Sequence, residues 1–258
     1  MDLKKIMVVA LLLLVAVISI TKIAPWAANP DNHTHSIEQT EDKISTVMTL
    51  SGGAAATAAT LSLLPGDMCT PIAEQMAELA KYFLLILSAL YLEKFMIVIS
   101  GFVTFTFAIP GALIIQSLSV IFNKKNLQTI ALKVAFLGMV LFIIVPASVG
   151  LSDMVYQTQA EKVNAAVEEY NELDIEGEAQ DGIFDKITNI AGETLDKVTA
   201  FLSSLLESLA VMIVTACIIP LLVFVLLVWL VKTVFSSNVL SFDAGTIESL
   251  KDILKKDK

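Results

Sequence analysis

The residues with the most chemical potential in this 258-residue chain are few and widely spaced. His33 and His35 stand two apart, flanked by Asp31 and Glu38, a grouping that invites a metal reading. A closed zinc site needs four ligands of defined geometry, which a two-histidine polar segment does not supply. The segment Asn29–Ser36 therefore reads as a solvated loop. Asn32-His33-Thr34 also fits a glycosylation acceptor, which matters only in a eukaryotic secretory route. Cys69 lies among polar residues and Cys217 inside an apolar run, settings that disfavour disulfide geometry, so two free thiols are expected. Between Ser152 and Glu207 there are 13 acidic residues against 3 lysines. No D-x-[DN]-x-[DN]-G loop occurs among them, so they read as a solvated face rather than a calcium site.

Within the apolar runs, Thr104, Thr106, Gln116, Thr215 and Cys217 are polar but uncharged. Pro110, Pro146 and Pro220 interrupt the same runs, with Gly111 after the first. Proline removes a backbone donor and tends to kink a helix. The carbonyls freed near Thr106 and Ala216 are open to two uses, a hinge or pathway, or simple packing with neighbours satisfying the backbone. Thr104, Thr106, Pro110, Gln116, Thr215 and Pro220 form the candidate pore or hinge set. Lys133 is the one ionisable group placed inside a run, close enough to its start to reach the headgroups. Ion-coupled transport usually needs ionisable groups near the membrane midplane. Hydrolysis needs a paired nucleophile and base, an acid pair or metal ligands. Neither set is evident, so a non-enzymatic protein without catalytic, cofactor-binding or metal residues is expected.

Composition sets the class. Hydrophobic residues make up 56% of the chain and mean hydropathy is +0.77, with a net charge of −9. That apolar share exceeds the roughly 45–50% of soluble domains and comes in long blocks. All 17 basic residues are lysine, so bidentate guanidinium recognition of phosphate is excluded. With a pI near 4.7 and no basic groove, nucleic acid is not an expected partner.

These residues are expected to sit on an all-α integral membrane protein with four transmembrane helices. Residues 1–25 read as an uncleaved signal anchor, with Trp26 at the interface. Cleavage would leave three spans. Residues 26–94 form an extracytoplasmic helical segment, 95–122 the second span, 123–128 a basic loop and 129–151 the third span. An acidic helical hairpin follows over 152–207, then the last span over 208–232 and a tail over 233–258. The tail reads either as an amphipathic helix on an anionic leaflet or as a soluble end.

Local signals refine this. Ser36–Leu64 reads as a helix broken at Gly52-Gly53, with Ser36 and Gln39 as a capping box and Ala54–Thr60 as a close-packing surface, a re-entrant or interfacial segment being the alternative. Pro65-Gly66-Asp67 reads as a turn, and Thr70-Pro71 opens the next helix. Ile72, Met76, Leu79, Phe83, Ile86 and Leu90 recur at alternating steps of four and three, the stripe of a helix packed in a bundle. Glu93-Lys94 marks the membrane interface in this reading, on a helix continuing unbroken to Phe122. In the hairpin, Tyr156, Val163 and Tyr170 recur every seven residues, and Ile187, Ile190, Ala191, Val198, Phe201, Leu202 and Leu205 line the returning face.

Lys4-Lys5, Lys124-Lys125 and Lys232 fall on one side of the four-span arrangement, and most of the acid on the other. The positive-inside rule puts both termini in the cytoplasm, in what reads as a bacterial cytoplasmic membrane. The expected role is an oligomeric structural or assembly component whose helical ectodomain meets a second copy or a membrane-complex partner. The alternative is a passive channel with an acidic, cation-favouring mouth. A transmembrane sensor is the weaker third reading.

Overall fold

The structure, a computed structural model, describes residues 3–63, 69–172 and 193–236. Among them it is almost entirely helical and contains no strand. Helices run α1 (Leu3–Ile18), α2 (Ala24–Ala27), α3 (Thr34–Ser62), α4 (Thr70–Val103), α5 (Ile109–Phe122), α6 (Lys125–Thr158), α7 (Ala160–Glu172), α8 (Glu193–Ile213) and α9 (Ile219–Ser236). Five stretches are long and apolar enough to cross a membrane: Leu3–Ala27, Pro30–Ser62, Thr70–Phe122, Lys125–Thr158 and Lys197–Ser236. Four contain the expected spans. The fifth, Pro30–Ser62, lies in the segment that the lysine pattern assigns to the exterior.

Three π turns join helices end to end, at Ser19–Ile23, Thr104–Ala108 and Val214–Ile218. Each ends two residues before a proline: Pro25, Pro110 and Pro220. A proline ring clashes with the carbonyl of the preceding turn, and widening that turn by one residue relieves the clash. Thr70–Phe122 thus stays helical throughout, as the sequence suggests. Pro146 lies inside α6 without such a turn.

The chain divides into two compact units. The first comprises residues 1–33, 97–146 and 223–258. Here α1 lies along α5. Gly101 lets the backbone around Ala27 approach so closely that an added Cβ would stand 2.2 Å from the Ala27 carbonyl oxygen. Asn123 ends α5 in the left-handed region (φ 52°), which asparagine tolerates better than most residues, and α6 begins two residues later. Lys133, expected to reach towards the headgroups, points to the end of a neighbouring helix. It is buried, and its ammonium donates to the Phe235 carbonyl at 3.2 Å in the last turn of α9, where a helix presents unpaired carbonyls. The expected His33–His35 loop is a 3-10 turn (Pro30–His33) leading into α3. Within this unit the His33 ring bonds the Ala27 carbonyl and meets the edge of Phe142.

The second unit comprises residues 34–96 and 147–222. Its core joins Val47, Leu50, Met76, Phe83, Ile86 and Leu90 to Val163, Phe201, Leu205 and Met212. The four-and-three stripe of α4 is buried from Met76 to Leu90, with Ile72 half-buried, and Tyr156, Val163 and Tyr170 are buried too. Val198, Phe201 and Leu205 bury the facing side of α8, and the Tyr170 and Phe201 rings stack at 5.8 Å. Ile187, Ile190 and Ala191 lie outside the described residues, as do the Pro65-Gly66-Asp67 turn and the tail helix. Cys69 and Cys217 are free.

Two local expectations are corrected here. Gly52-Gly53 does not break the helix, because α3 continues through it. Gly53 instead makes room for Tyr170, whose ring would lie 2.8 Å from an added Cβ. Nor is there a capping box at Ser36, which lies inside α3 with its carbonyl accepting from the Thr40 hydroxyl. The Gln39 amide donates to Asp153 of α6 at 2.8 Å.

The two glycine settings generate a paired prediction. Gly101→Ala forces backbone apart and is expected to cost about 1–3 kcal/mol or more. Gly52→Ala meets open space and is expected to stabilise by about 0.5–1 kcal/mol through helix propensity. Thermal unfolding in mild detergent, followed by circular dichroism, reads both; equal midpoints for the two variants would refute the assignment.

Candidate functional site

The stripe of α4 takes its next step of three from Leu90 to Glu93, and then four to Ile97. Glu93 is accordingly buried in the second unit, at 8% exposure. On α3 the inward series runs Ile37, Thr40, Lys43, Val47, Leu50 and Ala54, so Lys43 also occupies a core position, at 1% exposure. An acid and a base thus face the same core from adjacent places on two helices. Glu93-Lys94 reads as an interface marker from the sequence, and Lys43 and Glu93 fall outside the expected spans; that both are buried in the protein core is not part of that reading. The signal was present in the spacing, since each residue falls on its helix's apolar series.

Lys43 reaches across to α6, where its Nζ donates to the Ser152 hydroxyl at 2.9 Å. It also stands 5.6 Å from the centre of the Tyr156 ring, one turn further along α6, where the electron-rich face attracts a cation. The Glu93 carboxylate does not touch Lys43: both of its oxygens are buried without a hydrogen-bond partner. The two groups still interact through the field, and Asp153 adds a second carboxylate near Lys43. At the edge of the same two helices the polarity is reversed, with Lys94 of α4 paired to Glu41 of α3 in the open. Such exposed pairs contribute little, typically about 0–1 kcal/mol. The inner groups matter more, because a charge buried in a core without a close partner costs several kcal/mol.

Ser152 passes the connection on. Its hydroxyl donates to the Thr215 carbonyl at 2.8 Å. That carbonyl needs a donor for a definite reason. In the π turn the Ile219 N–H bonds the Val214 carbonyl, and Pro220 has no N–H, so neither of the residues that would serve Thr215 can do so. The same arrangement occurs in the first unit. There the Ile109 N–H bonds Thr104, Pro110 has no donor, and Ser19 donates to the stranded Phe105 carbonyl at 2.8 Å. The carbonyls freed by proline are thus those of Phe105 and Thr215, one residue earlier than an undistorted helix would free them. Neighbouring hydroxyls satisfy both.

No protein-family model, curated protein or solved structure matches this chain.

The candidate pore or hinge residues are divided between the units. Thr104, Thr106, Pro110 and Gln116 belong to the first, Thr215 and Pro220 to the second. Thr104 is fully buried and donates to the Gly138 carbonyl at 2.9 Å, while the Thr215 hydroxyl bonds Val211 in its own helix at 2.9 Å. Both hydroxyls are therefore engaged in helix packing. Thr106 differs, its hydroxyl being buried without a partner. Among the described residues no group of three or more histidine, cysteine, aspartate or glutamate side chains is placed to hold a metal.

Ser152→Ala removes the acceptor of Lys43 and the donor to Thr215 together. It is expected to destabilise by about 1–3 kcal/mol, the cost of leaving buried polar groups unmade. Thr158→Ala, one turn or so further on and exposed, should fall within about 0.5 kcal/mol of the parent. Denaturant unfolding in detergent distinguishes them, and equal values would show that the Ser152 link carries no energy.

Proposed function

We propose that this chain is a non-enzymatic multi-pass membrane protein that acts as an oligomeric structural or assembly component through a helical ectodomain. The lysine distribution supports a bacterial cytoplasmic membrane with both termini in the cytoplasm, residues 26–94 and 152–207 standing outside. The observation that carries the reading lies on the outer face of α4. Leu84, Leu85, Tyr91 and Leu92 are exposed there, opposite the stripe buried in the core. In a segment outside the lipid, a contiguous apolar face of this kind is an association surface. A second copy of the chain offers the same face, so an isologous contact along α4 is the simplest cover.

A cysteine at Leu85, in a chain with Cys69 and Cys217 replaced by serine, is expected to form a disulfide-linked dimer in membranes under mild oxidation. Tags at Gln180 and Lys258 should be reachable from opposite faces of the cell. A monomer that never cross-links overturns the assembly reading, and tags on one face overturn the topology.

A passive channel is the second reading. The buried, unpartnered hydroxyl of Thr106 favours it, since a polar group without a protein partner is one that water or an ion can serve. This reading expects ion flux through protein in liposomes, altered by Thr106→Leu and Gln116→Leu. Silent bilayers at high protein density exclude it.

A further inference from the structure

Glu93 is a core carboxylate of the second unit that lies near a buried ammonium without touching it. In a permanent ion pair the Lys43 ammonium would rest on the carboxylate, because only close contact lets attraction offset the solvation both groups lose. Here it rests on the neutral Ser152 hydroxyl at 2.9 Å, and both Glu93 oxygens are bare. The arrangement suits a carboxyl group that carries no charge.

We propose that Glu93 is a proton-binding residue whose state decides where the Lys43 ammonium rests. With the proton on Glu93, Lys43 holds Ser152, as in this structure. When the carboxyl O–H bond breaks and its proton leaves to water, the carboxylate draws the ammonium across and Ser152 loses it. Re-protonation from water reverses the exchange. No other bond changes.

The surroundings favour a proton over a metal cation. Lys43 enters the site from α3 and repels a second positive ion, whereas a proton is absorbed into a covalent bond and leaves a neutral group. From the π turn before α9, Cys217 is the titratable group near Glu93. On α6, Asp153 and Tyr156 face Lys43, and the Asp153 carboxylate is already engaged by Gln39. At the solvent edge, Lys94 and Glu41 neutralise one another beside the site. The switch has a mechanical reading too. Ser152 ties α6 to the Thr215 carbonyl stranded by Pro220, so loss of Lys43 alters the hydrogen bonding of the group that closes that π turn.

Infrared spectroscopy of the full chain in lipid nanodiscs tests this, reading the C=O stretch of a neutral carboxylic acid while pH is raised over the range in which the protein stays folded. The parent is expected to lose such a band as pH rises, and E93Q to lack it at every pH. K43Q should displace the pH at which the band disappears, because the nearby charge is gone. A spectrum with no band that E93Q removes overturns the proposal, as does a titration that K43Q leaves in place. Should E93Q fail to fold, carbon-13 glutamate labelling of the parent and K43Q replaces it. One carboxyl resonance that titrates and moves in K43Q supports the proposal, and its absence refutes it.

Discussion

A backbone carbonyl without a donor is costly wherever water is excluded, and a helix interrupted by proline always produces one. Much of this protein's polar structure follows from that constraint. At Pro110 and Pro220 the helix widens by a residue, and the stranded carbonyl moves to Phe105 or Thr215. Ser19 and Ser152 then supply the missing donors. The widened turns are thereby held by side chains from other helices, so each proline becomes a point of attachment as well as a bend. Lys133 obeys the same rule at a helix end, donating a hydrogen bond to the Phe235 carbonyl.

The buried charges are a different problem with a related solution. Lys43 and Glu93 stand in stripes that are otherwise mostly apolar. Replacing such a pair by apolar residues is often neutral or stabilising, so stability alone does not account for its presence. Lys43 is accommodated by a hydroxyl, a ring face and distant carboxylates rather than by one close partner. That leaves Glu93 poised rather than locked. The proposed proton switch rests on that separation, which a structural salt bridge lacks.

Apolar surface is also distributed in two ways. Inside the second unit, α4, α7 and α8 bury their stripes against one another, and aromatic stacking of Tyr170 on Phe201 closes the space opened by Gly53. Outside, the far face of α4 remains apolar. A helix apolar on two faces needs two covers, and the described residues supply the first. The second is lipid or another subunit, according to the depth at which α4 stands.

The all-helical class, the membrane-spanning runs and the core stripe of α4 were legible from composition and spacing, because helical periodicity acts locally and repeats. The positions of Glu93 and Lys43 were legible too, as continuations of those stripes, although Glu93 beside Lys94 reads as an interface by its charge. Gly52-Gly53 looked like a break because glycine is a poor helix former, yet packing against Tyr170 outweighs a propensity cost of about 1 kcal/mol per residue. Which carbonyl each proline strands, and which hydroxyl answers it, only the folded chain decided. Ser19 meets Phe105 across 86 residues and Ser152 meets Thr215 across 63, and pairings that distant depend on the helices having first come together.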